Sequence, residues 1–155
     1  MAITLDPSEL VENFRSAITR FTNDLKALSE ENAGKCWGGV SRCAFDFAYE
    51  MVLIHERTAT LLRGEDPGPP PWKFGEEWVK APDSLRTIDA MSARLNESVE
   101  TLLAAIGDDF EKKVKMGETE VPVWRRLQFL GIHTMYHDAQ LNFMQAMAGD
   151  GSVHW

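Results

Sequence analysis

Four long runs of this sequence repeat apolar residues at the 3.6-residue spacing of an α-helix, and this repeat restricts the fold more than any other feature. The first run opens at Asp6, a suitable N-cap, and continues through Pro7, which fits a first helical turn. It stops near Asn32-Ala33-Gly34. The run predicts an amphipathic helix with the apolar stripe Val11, Phe14, Ile18, Phe21, Leu25 and Leu28.

The second run extends from about Arg42 to Arg63, with Ser41 as the predicted N-cap and Gly64 as the end. Its centre is apolar on most sides, which is typical of a helix enclosed by its neighbours. Ionisable residues inside such a helix stand out, because a buried charge needs a partner.

The third run begins between Asp83 and Thr87 and reaches about Ala105, and the fourth extends from about Val121 to Met147. The polar stretch between them, Gly107–Val121, is predicted to form a small turn or hairpin. At 155 residues the chain has the length of one domain, so residues 1–155 are predicted to form a single all-α domain of four long helices around one core.

A stretch dense in proline and glycine, Gly64–Ala81, separates helices two and three and excludes a helix there. About 18 extended residues reach roughly 60 Å, which is ample to cross a helix of about 30 Å from end to end. This long crossover therefore allows helices two and three to run parallel, with Trp72 and Trp78 pinning it to the bundle.

Composition excludes several classes of partner. The net charge of −8 indicates an acidic surface, which repels the phosphate backbone of nucleic acids. No run approaches the roughly 18 apolar residues of a membrane span. Met1–Asp6 lacks the basic and apolar regions of a signal peptide. Cys36 and Cys43 form no CxxC pair or disulfide framework, which favours a reducing, cytoplasmic setting.

His133 and His137 are four residues apart in the fourth run, so a helix places them on one face. Two core-facing imidazoles need polar partners, which could be side chains of neighbouring helices or a metal ion. Thr134 follows the first histidine where a zinc protease has glutamate, which excludes the HExxH motif. The same face carries the apolar residues Val123, Leu127, Leu130, Leu141 and Met144.

The second helix offers two candidates for a third metal ligand, Glu50 and His55. They lie about 140° apart around the helix, so we expect only one of them to reach the histidine pair. Asp46 lies one turn before Glu50 and could support it. The alternative is a structural role for each, with Glu50 paired to Arg125 or Arg126 and His55 satisfied as a core residue.

The chain resembles the DinB family, the DinB/YfiT-like four-helix-bundle metalloenzymes. The matching features are Leu61–Glu65 at the end of helix two, the proline-rich crossover, and His133 to Gln140 in helix four. The resemblance implies an up-down-down-up bundle and a homodimer. It also implies a divalent metal, usually nickel or zinc, on three histidines: one from helix two and the HxxxH pair.

The chain departs from the family pattern at one ligand. Counting back from the Arg-Gly that closes helix two, the position of the family's first histidine falls on Glu50. Two histidines and one carboxylate still make a recognised open metal triad. The predicted metal ligands are therefore His133, His137 and Glu50, with His55 as the alternative third ligand. Residues predicted to support the ligands or face a substrate are Asp46, Tyr49, Tyr136 and Gln140.

The resemblance implies a metal-dependent enzyme, either a hydrolase or a thiol-dependent transferase. Its substrate would be a small molecule, with a low-molecular-weight thiol as a candidate co-substrate. The alternative is a non-catalytic, stress-related bundle protein that binds a ligand or metal without turnover, or that holds no metal at all.

Overall fold

The computed structural model describes residues 6–73 and 76–154. The prediction that Met1–Asp6 lacks the features of a signal peptide therefore concerns residues that lie mostly outside the described part. Helices dominate the fold, which confirms the broad all-α prediction, and a two-stranded antiparallel hairpin accompanies them. The elements are α1 (Pro7–Ala27), α2 (Glu30–Gly34), α3 (Ala44–Leu62), a 3-10 turn (Asp83–Leu85), α4 (Ile88–Ile106), β1 (Lys113–Met116), β2 (Thr119–Pro122) and α5 (Val123–Met147).

The first helix is shorter than predicted. Asp6 caps it as expected, with its carboxylate accepting the backbone N–H of Ser8 at 2.8 Å. The helix ends at Ala27, however, because Ser29 starts a separate short helix, α2, by accepting the N–H of Asn32 at 3.1 Å. A strong N-cap residue within an apolar repeat can therefore divide one predicted helix into two.

The other helix ends differ from prediction by one or two residues. Cys43, not Ser41, occupies the N-cap position of α3, and it makes no side-chain capping bond. Thr87 caps α4 by accepting the N–H of Ala90 at 3.2 Å. Pro122 directly precedes α5, which begins at Val123 and not at about Val121.

The hairpin predicted between the third and fourth long helices is confirmed. Lys113 pairs with Pro122 and Met116 with Thr119 across β1 and β2. The turn is Gly117 and Glu118, where the glycine has φ +60°, a conformation that favours glycine. The hairpin leads directly into α5, so it fixes where the last helix starts.

The four long helices share one hydrophobic core. α3 packs mainly against α4, and α1 mainly against α5, with further contacts between α1 and α4 and between α3 and α5. Ion pairs cross two of these contacts, Arg15 with Glu100 and Glu56 with Arg94. The largest fully buried side chains are Phe14, Phe21, Leu25, Phe45, Phe47, Met51, Met91, Leu95, Leu102, Leu127, Leu130 and Leu141.

The crossover is held by polar contacts that the sequence prediction did not include. The Arg57 guanidinium donates to the backbone carbonyls of Pro67, Gly68 and Pro69 at 2.9, 2.6 and 3.1 Å. The same guanidinium lies 5.8 Å from the centre of the Trp72 ring. The start of the crossover is therefore attached to α3 through one arginine, and residues 74 and 75 of the crossover lie outside the described part.

The end of the crossover is attached to α3 through Asp46. Its Oδ1 accepts the backbone N–H of Ala81 at 2.9 Å and a guanidinium N–H of Arg86 at 2.8 Å.

Among the described helices, none has both the length and the apolar character needed to cross a membrane.

Candidate metal centre

Three ligand-type side chains converge between α3 and α5. The Nε2 atoms of His133 and His137 are 3.2 Å apart, and the Glu50 Oε1 lies 3.4 Å from the first and 4.0 Å from the second. Glu50 and His137 are buried, and His133 is half-buried at the edge of the group. In the described part of the chain this is the one group of three such residues with metal-ligand spacing.

The spacing of these atoms fits a divalent ion. Ligand atoms about 2.05 Å from a tetrahedral zinc lie about 3.4 Å from each other. The three measured separations, 3.2, 3.4 and 4.0 Å, bracket that value before any adjustment. Two imidazole nitrogens and one carboxylate oxygen are also a ligand set that suits zinc, nickel or iron and leaves positions open.

Gln140 sets the tautomer of His137. The amide Oε1 of Gln140 lies 2.7 Å from Nδ1 of His137, and an amide oxygen can only accept. Nδ1 therefore carries the proton, and the lone pair of Nε2 points at Glu50 and His133. Burial, reinforced by the charge of His133, lowers the pKa of His137 to about 4, which keeps the ring neutral and able to bind a metal at pH 7.

Aromatic rings fix the planes of both imidazoles. Phe47 stacks on His137 with ring centres 5.0 Å apart, and Phe129 stacks on His133 with ring centres 5.9 Å apart. Tyr136 meets His137 edge-on at 5.1 Å. These contacts hold the two imidazole planes in an orientation that places the two Nε2 atoms 3.2 Å apart.

Glu50 remains ionised although it is buried. Burial alone raises the pKa of Glu50, but the hydrogen bond with His133 and the positive charge of Arg42 outweigh it, so the pKa falls below its ordinary value. Arg42 forms an ion pair with the Oε2 of Glu50, which leaves Oε1 to face the histidines. The carboxylate thus has one oxygen held by a cation of the protein and one directed at the metal position.

The partner of Glu50 differs from the arginines considered in the sequence prediction. Arg126 instead donates two hydrogen bonds, at 2.8 and 3.1 Å, to the Thr58 hydroxyl on α3. Arg125 is exposed. Arg42 lies eight residues before Glu50 and precedes the start of α3. Its contact with Glu50 therefore depends on the path by which the chain enters α3 and not on helical spacing.

His55, the alternative third ligand, lies away from the cluster. Its Nδ1 is 3.0 Å from the Ser98 hydroxyl, which itself donates to the Leu95 carbonyl at 2.7 Å, so the imidazole N–H donates to the serine oxygen. Its ring meets Phe14 edge-on with centres 5.4 Å apart. Burial lowers the pKa of His55 to about 3, which makes it a neutral core residue.

A cavity of about 890 Å³ opens beside the cluster, within the range of small-molecule sites. One wall carries Glu50, His133 and His137, and most of the remaining lining is aromatic or apolar. Arg42 and Gln140, which hold Glu50 and His137, also reach the cavity. The apolar lining consists mainly of Trp37, Val40, Phe47, Trp78, Tyr136, Ala139, Phe143 and Met144.

The other residues singled out in the sequence separate into two groups. Tyr136 and Gln140 line the cavity, and the Gln140 amide donates to the Tyr136 hydroxyl at 3.3 Å. Tyr49 packs against the hydrophobic core instead, and Asp46 anchors the crossover without touching Glu50 through a hydrogen bond. The sequence prediction that both histidines face the core holds for His137, whereas the side chain of His133 is 17% exposed.

Sequence reasoning missed Arg42, Trp37 and Trp78 as parts of this site. Arg42 stands between Glu50, the backbone carbonyl of Asp46 and the Trp78 ring, whose centre is 4.8 Å from the guanidinium carbon. Trp37 and Trp78 lie in connecting segments, where helical periodicity gives no information, and Arg42, with which the second helix was predicted to begin, lies before the observed start of α3. The only available signal was an arginine and two tryptophans flanking a helix that carries a buried acid.

No family model and no curated protein matches this sequence. Among solved structures, the chain is similar to a conserved protein from Enterococcus faecalis, with a TM-score of 0.67 and 14% sequence identity. The match covers 95% of this chain and 100% of the other. At this level of identity the similarity shows a shared fold over nearly the whole chain.

Proposed function

We propose that this chain is a DinB-type metal-dependent enzyme in which Glu50, His133 and His137 hold a divalent cation, zinc or nickel. The observation that carries the proposal is the convergence of three ligand atoms, 3.2 to 4.0 Å apart, from two helices at the wall of a large cavity. The proposed substrate is a small molecule that fills this cavity, with a low-molecular-weight thiol as a candidate.

Contacts along the helices support the DinB-type arrangement. Asp46, early in α3, contacts Arg86 just before α4, and His55, late in α3, contacts Ser98 late in α4. These contacts are those of two helices running in the same direction, as a long crossover between them permits.

The contacts of α5 support the remaining directions. Glu50, early in α3, lies against His137, whereas Thr58, late in α3, lies against Arg126 near the start of α5, as in antiparallel helices. Arg15 in the first half of α1 pairs with Glu100 in the second half of α4. Together the contacts support an up-down-down-up bundle, the order that the family resemblance implies.

The chain supplies a preorganised site for such chemistry. When bound, a zinc or nickel ion acts as a Lewis acid that can activate a water or thiol for hydrolysis or transfer. Gln140 fixes the tautomer of His137, burial keeps that ring neutral, and Arg42 keeps Glu50 ionised and oriented. The rings of Phe47, Phe129 and Tyr136 pack against the two imidazoles, and apolar surroundings of this kind strengthen electrostatic interactions.

A second candidate is a metal-free or non-catalytic binding protein, and one observation favours it. Glu50 already forms ion pairs with two groups of the protein, Arg42 and His133, so the charge of the carboxylate is balanced without an ion. In that case the polar cluster would help to specify the bundle, and the cavity would bind a ligand without turnover.

Metal stoichiometry separates the two candidates. The protein is purified without an affinity tag, stripped with a chelator, reloaded with zinc or nickel, and measured by elemental analysis. We expect about one ion per chain in the wild type and far less than one in both His133→Ala and His137→Ala. His154→Ala is the matched control, because this histidine lies in the C-terminal tail and contacts Asp150.

No metal in the reloaded wild type, or retention of one ion in both variants, would contradict the metal centre. Metal bound as expected but with no turnover in a screen of esters, amides and thiol acceptors would favour the non-catalytic candidate. Circular dichroism of each variant distinguishes a lost ligand from a lost fold.

A further inference from the structure

The lining of the cavity beside the metal centre includes large apolar side chains that are exposed. Trp78, Tyr136 and Phe143 line it with 42%, 60% and 64% of their areas exposed, and Val40 lines it and is fully exposed. Removing such surface from water is favourable, and aromatic walls offer an apolar ring this gain together with ring-to-ring contacts. The cavity therefore favours a ligand whose body is apolar and aromatic.

Both tryptophans that line the cavity are held in place by contacts outside the metal centre. The Lys35 Nζ lies 4.3 Å from the centre of the Trp37 ring, and the Arg42 guanidinium carbon lies 4.8 Å from the centre of the Trp78 ring. Trp37 also donates its indole N–H to the backbone carbonyl of Asn32 at 3.3 Å. A side chain that is already held loses little conformational freedom when a ligand binds, so these indole rings are preorganised walls.

The charges of the cavity lining restrict the ligand body further. Among the described residues that line the cavity, Arg42 and Glu50 carry a formal charge, and they pair with each other. Burial keeps His137 neutral, and the Gln140 amide already contacts the His137 ring and the Tyr136 hydroxyl. A ligand body with several charges or hydroxyl groups would lose its water and find few partners here, which costs free energy. The favoured body is therefore uncharged and poor in polar groups.

We propose that the substrate is a planar aromatic acid, with its rings among the aromatic side chains of the cavity and its single anionic group at the metal position. The acidic group rests on the proposed metal centre. Arg42 and Glu50 cancel each other and ligating imidazoles are neutral, so the two positive charges of a divalent ion remain to attract an anion. The aromatic body rests on the cavity walls alone. The volume of about 890 Å³ accommodates two fused rings with substituents.

Isothermal titration calorimetry with naphthoate, a carboxylate on two fused aromatic rings, tests the proposal. We expect a dissociation constant of about 100 µM for the metal-loaded chain, which is usual for a ligand of about 13 non-hydrogen atoms. Binding to the metal-free chain should be at least about tenfold weaker, because the charge that attracts the carboxylate is missing. Naphthylmethanol, the neutral counterpart, should bind both forms about equally. Decalin carboxylate has the same charge and carbon skeleton without an aromatic ring, and it should bind the loaded chain at least about fivefold more weakly than naphthoate.

One pair of variants on α5 locates the bound ligand. Phe143 and Ile132 are equally exposed, at 64%, but Phe143 lines the cavity and Ile132 borders a separate groove between α1 and α5. Phe143→Ala should weaken naphthoate binding at least about fivefold, because one aromatic wall is lost. Ile132→Ala is the matched control and should leave the binding unchanged. Circular dichroism spectra that match the wild type show that both variants are folded.

Elemental analysis of the same samples separates a failure of this proposal from a failure of the metal centre. If about one ion is loaded but naphthoate does not bind at about 1 mM, or decalin carboxylate or the charged thiol glutathione binds as tightly, the aromatic acid is overturned and the metal centre stands. If no ion is loaded, the metal centre and the acidic group are both overturned, whether or not naphthylmethanol binds the metal-free chain. Unchanged naphthoate binding in Phe143→Ala would also overturn the proposal, because the ligand would then lie outside this cavity.

Discussion

Glu50 and His55 lie five residues apart on α3, both are almost fully buried, and their surroundings make them opposite kinds of residue. Glu50 faces two imidazoles from α5 and an arginine that keeps it charged. His55 faces a serine from α4 and a phenylalanine ring from α1, which keep it neutral. A buried polar group on a core helix is therefore not by itself a ligand.

What distinguishes the two positions is the number of ligand atoms that arrive from another helix. At His55 one hydroxyl satisfies one imidazole N–H, and the arrangement is complete. At Glu50 three ligand atoms approach one point from two helices. Arg42 pairs with the Oε2 of Glu50, so the Oε1 is left to face the two histidines. A buried polar group becomes a candidate functional group when several unlike ligand atoms share one position.

The largest expected difference between the two positions is in metal affinity. Glu50→Gln should weaken zinc binding about 100-fold, the upper end of what groups supporting a metal contribute, because the charged ligand oxygen is lost. His55→Gln should leave the affinity unchanged. Competition with a chromophoric chelator measures both. If only the His55 variant loses zinc, the assignment of the third ligand is wrong.

The next difference is in folding stability. His55→Ala should lower the free energy of unfolding by about 2–3 kcal/mol, since it leaves a cavity against Phe14 and removes a buried hydrogen bond. Urea titration of the metal-free protein gives this value, with His154→Ala as a control that should change it little. A change below about 0.5 kcal/mol would show that His55 is not part of the packed core.

The dependence of folding stability on pH tests whether burial keeps His55 neutral in the folded protein. Below its ordinary pKa of 6.5, His55 takes up a proton in the unfolded chain, whereas in the folded protein it does so only near pH 3. The free energy of unfolding therefore decreases as the pH falls from 6.5 toward 3. Between pH 6.5 and pH 5, His55 should account for a loss of about 2 kcal/mol.

Urea titrations at pH 7 and pH 5 on metal-free wild type and His55→Gln measure this contribution. The variant should lose about 2 kcal/mol less than the wild type between the two pH values. Contributions of His137 and Glu50 are present in both proteins and cancel in the difference. Equal losses in the two proteins would mean that His55 ionises freely in the folded state.

The smallest expected effect concerns Gln140, which contacts a ligand without being one. Gln140→Leu puts an apolar side chain in place of the amide and leaves Nδ1 of His137 without its acceptor, so zinc affinity should fall about tenfold. Gln140→Glu retains an acceptor at the same place and should restore most of the affinity. An unchanged affinity in Gln140→Leu would show that the Phe47 and Tyr136 rings alone orient His137.

The sequence predicts this molecule well where contacts are local and poorly where they are not. Periodicity locates the four long helices, because helical burial repeats every 3.6 residues, and the polar stretch between the last two of them contains the hairpin. The i, i+4 spacing puts His133 and His137 together for the same reason. The break after Ala27 escapes prediction because it depends on Ser29 capping against an otherwise continuous apolar repeat.

The pairing of Glu50 with Arg42 and the attachment of the crossover to Asp46 depend on chain entry and loop closure. No repeat in the sequence encodes these contacts. The preference for Glu50 over His55 rests on the resemblance to a family, whose first histidine corresponds to position 50, and the structure places Glu50 beside the histidine pair. Sequence thus predicts which faces meet more reliably than which charges pair.

The position of Arg42 has one further consequence, for how the site could be observed. The guanidinium touches both the carboxylate that would bind the ion and the face of Trp78 at the mouth of the cavity. An arriving cation draws on the charge of Glu50 and so alters how strongly Arg42 is held against the indole ring. We therefore expect the fluorescence of Trp78 to change on metal loading in the wild type and to stay constant in Arg42→Gln.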